Sequence, residues 1–295
     1  MSSHGSTSMT WYRWLVLALV AALLAVAAWA SFGLGRPLGM STRAVDWRHE
    51  ARSDGITVQC VAGDQAGTAA LARWAAGYQA ALALWLGVAP APVSIRLFSD
   101  QAELRSWCTA NLPTYTAAMN FCYVPGENAI YGCLGSDDWL RPRLQHELFH
   151  ALARARLERL PLWLDEGLAE LCEGLAHDGT RLRCVRIQGE RLRHTGRLAA
   201  RDQFDPASLD GIPPARFYGP EATRWYSAGY TTVLWLAAEG RLTERLRQGR
   251  GAIDRGAWRA FATDPAAWDA APARLDAGFA AAGTVALNAT AHAGR

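Results

Sequence analysis

Between His146 and Glu170 the chain reads HELFHALARARLERLPLWLDEGLAE, and this stretch constrains the molecule more than any other. His146 and His150 are four residues apart, so on a helix both imidazoles project from one face, with Glu147 about 100° round beside them. Neutral imidazoles are good nitrogen ligands for Zn²⁺, and a carboxylate next to them can take a proton from water activated by the ion. The H-E-x-x-H pattern is short, so its weight depends on the residues downstream of it.

After a turn-length gap, Pro161 can open a second helix on which Glu166, Glu170 and Glu173 recur at spacings of four and three. A catalytic zinc keeps three protein ligands and one open position, and Glu166 can complete a set with His146 and His150. Glu170, one turn further on, can accept the second ring N–H of a ligating histidine and fix its tautomer. The plain alternative is a solvated acidic face. Trp163, Leu164 and Leu168 argue against it by holding the same helix to a core.

HELFH followed by WLDEGLAE resembles the gluzincin metallopeptidases of the thermolysin-like clan, above all the bacterial peptidase MA-like domains and, more distantly, the zinc aminopeptidases. The resemblance implies an α+β, thermolysin-like zincin domain with a small N-terminal mixed sheet and a helical C-terminal part. It also implies one Zn²⁺ on His146, His150 and Glu166, with Glu147 as general base and Glu170 as the acid behind a ligand. Asp165 departs from the pattern, since the aminopeptidases usually have Asn there.

Composition removes several other chemistries. All 30 basic residues are Arg, and without Lys there is no Schiff base, no Walker-type phosphate lysine and no Ser-Lys dyad. The net charge of +3, with no long basic run, gives no footprint for nucleic acid. Six cysteines permit up to three disulfides, with Cys172 and Cys184 a plausible local staple, or else buried thiols; no C-x-x-C pattern occurs.

Trp14 to Leu34 is uncharged and long enough to cross a bilayer. A retained anchor competes with a cleaved signal peptide ending near Ala28-Trp29-Ala30. Either reading expects a bacterial envelope protein, inner-membrane anchored with its catalytic domain outside the cytoplasm, or secreted. Arg36, Arg43, Arg48 and Arg52 after the span run against that orientation. The expected organisation is a tail at 1–13, the anchor or signal peptide at 14–35, a linker at 36–55, the metallopeptidase domain at 56–284 and a disordered tail at 285–295.

Within that domain, Ile56 to Val61 and Val93 to Phe98 read as strands, and Thr68 to Leu86 as a helix closed by Gly87. A further helix runs from a cap at Ser99 or Asp100 through Trp107. Residues 117 to 134 read as a hairpin around Pro125-Gly126-Glu127-Asn128. The polar region after Gly174 reads as a loop of about forty residues, either a cleft wall or lid or simply mobile, and Arg224 to Gly240 as an apolar helix.

In the clan the hairpin's edge strand pairs with the substrate backbone, which puts Met119 and Asn120 at a peptide-binding edge. Ala117-Ala118-Met119-Asn120 stands where the aminopeptidases carry Gly-x-Met-Glu-Asn, and lacks the acid that holds a free amino terminus. Tyr226-Ser227-Ala228-Gly229 resembles the aminopeptidase Tyr-x-x-Gly segment, whose phenol stabilises the oxyanion. Tyr230, His194 and His177 are the other candidate donors, and a core or rim aromatic is the alternative role for Tyr226. The residues thus point to a zinc-dependent peptidase, endopeptidase over aminopeptidase. A non-catalytic envelope module and a zinc hydrolase of another amide or ester remain open.

Overall fold

The computed structural model describes residues 45–112, 120–157, 160–179, 181–248 and 253–293. The expected N-terminal tail, the span at 14–35 and Met119 lie outside them. Among the described residues no helix is long and apolar enough to cross a membrane.

The unit that begins at Val45 already carries a strand where a linker was expected, β1 (His49–Ser53). Asp54 (φ 40°) and Gly55 (φ 84°) supply the two positive φ values of a tight hairpin turn, and β1 pairs antiparallel with β2 (Ile56–Cys60). The sequence HEARS hides this strand because neither of its faces is fully buried.

From β2 the chain enters α1 (Gln65–Leu86), started by Asp64, whose side chain accepts from the N–H of Gly67, and stopped by Gly87 at φ 68°. Then come β3 (Val93–Phe98), α2 (Gln101–Asn111) capped by Asp100, β4 (Cys122–Val124) and β5 (Ala129–Cys133). The architecture is α+β, with a five-stranded mixed sheet in the order β1-β2-β3-β5-β4. β2, β3 and β5 run parallel, and β4 returns antiparallel along the edge. The expected hairpin is therefore β4–β5, with Asn128 at φ 47° in its turn.

The helical part begins with α3 (Asp137–Arg156) and α4 (Leu162–Cys172). Leu144, Leu148, Ala151 and Leu152 bury the α3 stripe against α1 and the sheet. The region after Gly174, expected as a loop, is largely structured: a ribbon of β6 (Leu175–His177) and β7 (Leu182–Cys184), then α5 (Gly189–Ala200), a 3₁₀ turn (Pro206–Gly211) and α6 (Pro214–Phe217). Its polarity misleads because α5 buries only Leu192, Thr195, Gly196 and Ala199. Next come α7 (Ala222–Ala238), α8 (Leu242–Gln248), α9 (Arg255–Thr263) and α10 (Pro265–Ala293), the last running into the residues expected as a tail. All six cysteines are free thiols, so Cys172 and Cys184 form no staple.

One helix contact positions two of the candidate residues. A Cβ on Gly167 of α4 would lie 2.7 Å from the backbone of Gly229 on α7, and one on Gly229 would lie 2.8 Å from the carbonyl oxygen of Trp163. The two helices thus meet backbone to backbone. Glu166 precedes one of these glycines directly and Tyr226 lies one turn before the other, so the contact draws their helices together.

Candidate metal centre

Helix α3 delivers His146, Glu147 and His150, and α4 delivers Glu166. Nε2 of His146 lies 3.5 Å from Oε2 of Glu166, and Nε2 of His150 lies 3.7 Å from the same oxygen. Two ligand atoms about 2.1 Å from one tetrahedral ion stand about 3.4 Å apart, so both separations fit a site of that kind, and all three atoms lie within 4.8 Å of one another. Glu166 is only 6% exposed, and its Oε2 is buried without a hydrogen bond. A buried carboxylate oxygen with no donor is costly unless a cation meets it, and this orphan faces the two imidazole nitrogens.

The far side of each ring is held. Nδ1 of His146 is 3.0 Å from Glu173 Oε1, and Nδ1 of His150 is 3.3 Å from Asp165 Oδ1. In the neutral rings, a proton on each Nδ1 would leave both Nε2 lone pairs for an ion beside the Glu166 oxygen. The ring contact expected of Glu170 is made instead by Glu173 and Asp165. Glu170, 5% exposed, instead accepts a two-pronged pair from Arg191, with Nε–Oε2 3.0 Å and Nη2–Oε1 2.6 Å. His146, Glu170 and Glu173 still lie close enough to be a second grouping of ligand type.

Electrostatics follow the crowding of acids. Burial opposes charge on His146, but the carboxylates of Glu166 and Glu173 outweigh it and hold the imidazole up at about 10. The His150 imidazole is raised in the same way against burial by Asp165 and Glu166. Burial also works against charge on Glu166, yet the two imidazoles keep its carboxyl well below the usual range. For Glu147 burial dominates and pushes the carboxyl up, while His146 and His150 pull it back. The backbone N–H of Tyr123, in β4, donates to Glu147 and ties the helix to the edge strand.

A cleft of about 410 Å³ opens over this group, with His146, Glu147, Glu170, Glu173, Asn120 and Tyr226 in its lining. Tyr226 therefore faces the cleft, and its hydroxyl is pushed up by burial and by the Glu166 carboxylate. Tyr230 does not face it: its hydroxyl accepts the Gln188 N–H at 2.8 Å in the interior. His177 packs against Trp74 and Tyr78, and His194 lies on α5 among arginines, both away from the lining. Asn120 is at the cleft beside β4, which among the described residues pairs only with β5.

Tyr218 has no sequence signal. It sits after α6, with its ring half-exposed, and donates a 2.6 Å hydrogen bond to Oε1 of Glu166. Arg191 is equally unannounced; besides pairing with Glu170 it lies over the ring of Tyr226, 5.4 Å from its centre. Compared with models of known protein families and with curated proteins, the chain matches none of them, and the reading of the site rests on its own geometry.

Proposed function

We propose that this chain is a zinc-dependent peptidase of the thermolysin-like zincin type, hydrolysing peptide bonds within a chain. The carrying observation is the convergence of His146 Nε2, His150 Nε2 and the unpartnered Glu166 Oε2 beside a buried Glu147. These three atoms would hold the ion. When bound, zinc supplies Lewis acidity to a carbonyl oxygen and acidifies water.

The remaining work belongs to the chain. Glu147, with its carboxyl raised by burial, is suited to take a proton from the attacking water and pass it to the leaving amine. Tyr226, facing the cleft, is the donor for the developing oxyanion, a role worth a few kcal/mol of barrier, about that of one oxyanion-hole donor. Tyr218 orients Glu166 from behind. The edge of β4 that pairs with no strand among the described residues can add a substrate strand, which favours an extended peptide over a compact ester or amide. Asn120, at the cleft in place of an acid, favours internal cleavage over release of amino-terminal residues.

An exported or membrane-tethered location accords with the uncharged stretch at 14–35. The test is a peptide library incubated with the zinc-loaded protein and with Glu147→Ala. The proposal expects internal cleavages that disappear in the variant. Cleavage that persists without Glu147, or turnover confined to simple esters and amides, rejects it.

A further inference from the structure

The cleft lining holds two cations, Arg143 and Arg191, and they differ in what they face. Arg191 is committed to Glu170 by two hydrogen bonds. Arg143 makes no ion pair among the described residues, and the only Asp or Glu of the chain outside them is Glu158, past the C-terminal end of α3. The guanidinium is nevertheless held in place: it lies over the Trp139 ring, 4.5 Å from its centre, and Nη1 donates to the Trp139 carbonyl at 2.8 Å. Trp139 in turn packs on Phe121, their ring centres 5.5 Å apart, and Phe121 lines the same cleft.

An arginine held on an aromatic floor, with one of its five N–H donors engaged and no carboxylate paired with it although Glu147 and Glu173 line the same cleft, is prepared for a planar anion. Its place on α3 says where along a substrate that anion would lie. Arg143 lies three residues before His146, about 4.5 Å along the helix. A group bound there is within one or two residues of the bond to be cut, given an extended reach of about 3.4 Å per residue.

We infer that Arg143 binds a carboxylate of the substrate next to the scissile bond, so that the cleft selects acidic peptides. The inference rests on the peptide-binding reading of the cleft and narrows its substrate class. The carboxylate can come from an Asp or Glu side chain or from a free C-terminus.

Binding to the zinc-loaded, full-length Glu147→Gln protein tests this without turnover. The probes are a C-terminally amidated peptide with a central Glu, its Gln counterpart, and the Gln peptide with a free C-terminus, each followed by fluorescence anisotropy. One of the two carboxylate peptides should bind about tenfold tighter than the amidated Gln peptide, and which one does identifies the source. The preference should vanish when Arg143→Gln is added. That comparison also removes the case of a carboxylate binding the metal directly, because zinc content, measured in both proteins, should be equal. Equal binding of all three peptides, binding of none, or a preference that survives Arg143→Gln overturns the inference. Should the preference hold while the wild-type protein cleaves none of the peptides, the carboxylate site stands and the hydrolase proposal falls.

Discussion

The hydroxyl of Tyr218 donates to Oε1 of Glu166, and this bond turns the carboxylate so that Oε2 faces Nε2 of both His146 and His150. A residue on a connecting segment thereby fixes the orientation of a candidate ligand supplied by a helix. Tyr218→Phe should lower zinc affinity by about tenfold, the effect of losing an outer hydrogen bond to a ligand. Competition with a chromogenic chelator measures this, and unchanged affinity would show that Glu166 is oriented without Tyr218.

Both histidines are raised by the acids around them, His146 to about 10. Near neutral pH the metal-free rings thus hold protons that an incoming ion must displace. Zinc affinity should rise with pH up to that region, with about two protons released per ion at neutral pH. Calorimetry in buffers of different ionisation enthalpy counts them, and pH-independent affinity would contradict the assignment of Nε2 as ligand atoms.

Gly167 and Gly229 let α4 and α7 touch. Gly229→Ala forces a methyl against the Trp163 carbonyl and should cost about 1–3 kcal/mol in denaturant unfolding. It should also reduce turnover more than zinc affinity, since Tyr226 shares the helix of the added methyl, whereas two of the three candidate ligands lie on α3 outside the contact. Loss of zinc with turnover per bound ion intact would reverse that assignment.

Glu170 is buried against Arg191. Arg191→Ala leaves that carboxylate without its partner and should destabilise the fold by about 3 kcal/mol. Adding Glu170→Gln should recover part of the loss. A double variant as unstable as the single one would mean that Arg191 acts through its packing on Tyr226 instead.

Much of the fold was readable where local chemistry decides structure. Gly87 closes α1, whose start at the Asp64 cap lies before the expected Thr68, the Pro125–Asn128 turn fixes the β4–β5 hairpin, and helical spacing alone brings His146 and His150 to one face with Glu147 beside them. β1 and α5 escaped because each is mostly polar and owes its structure to what it packs on. The site divides in the same way. Glu166 follows from the pattern on α4, whereas Tyr218 joins it from 52 residues away, across a segment whose path no periodicity encodes. The choice between Glu170 and Glu173 as the acid behind His146 was likewise invisible, because it depends on Arg191 arriving from α5 to claim Glu170.

The central claim is that His146, His150 and Glu166 form one metal site, and metal analysis of purified protein by plasma mass spectrometry tests it most directly. About one zinc per chain should be found in the wild-type protein, and essentially none in His146→Ala or Glu166→Ala that remain folded by circular dichroism. A wild-type protein without stoichiometric zinc, or a His146→Ala variant that retains it in full, would contradict the claim.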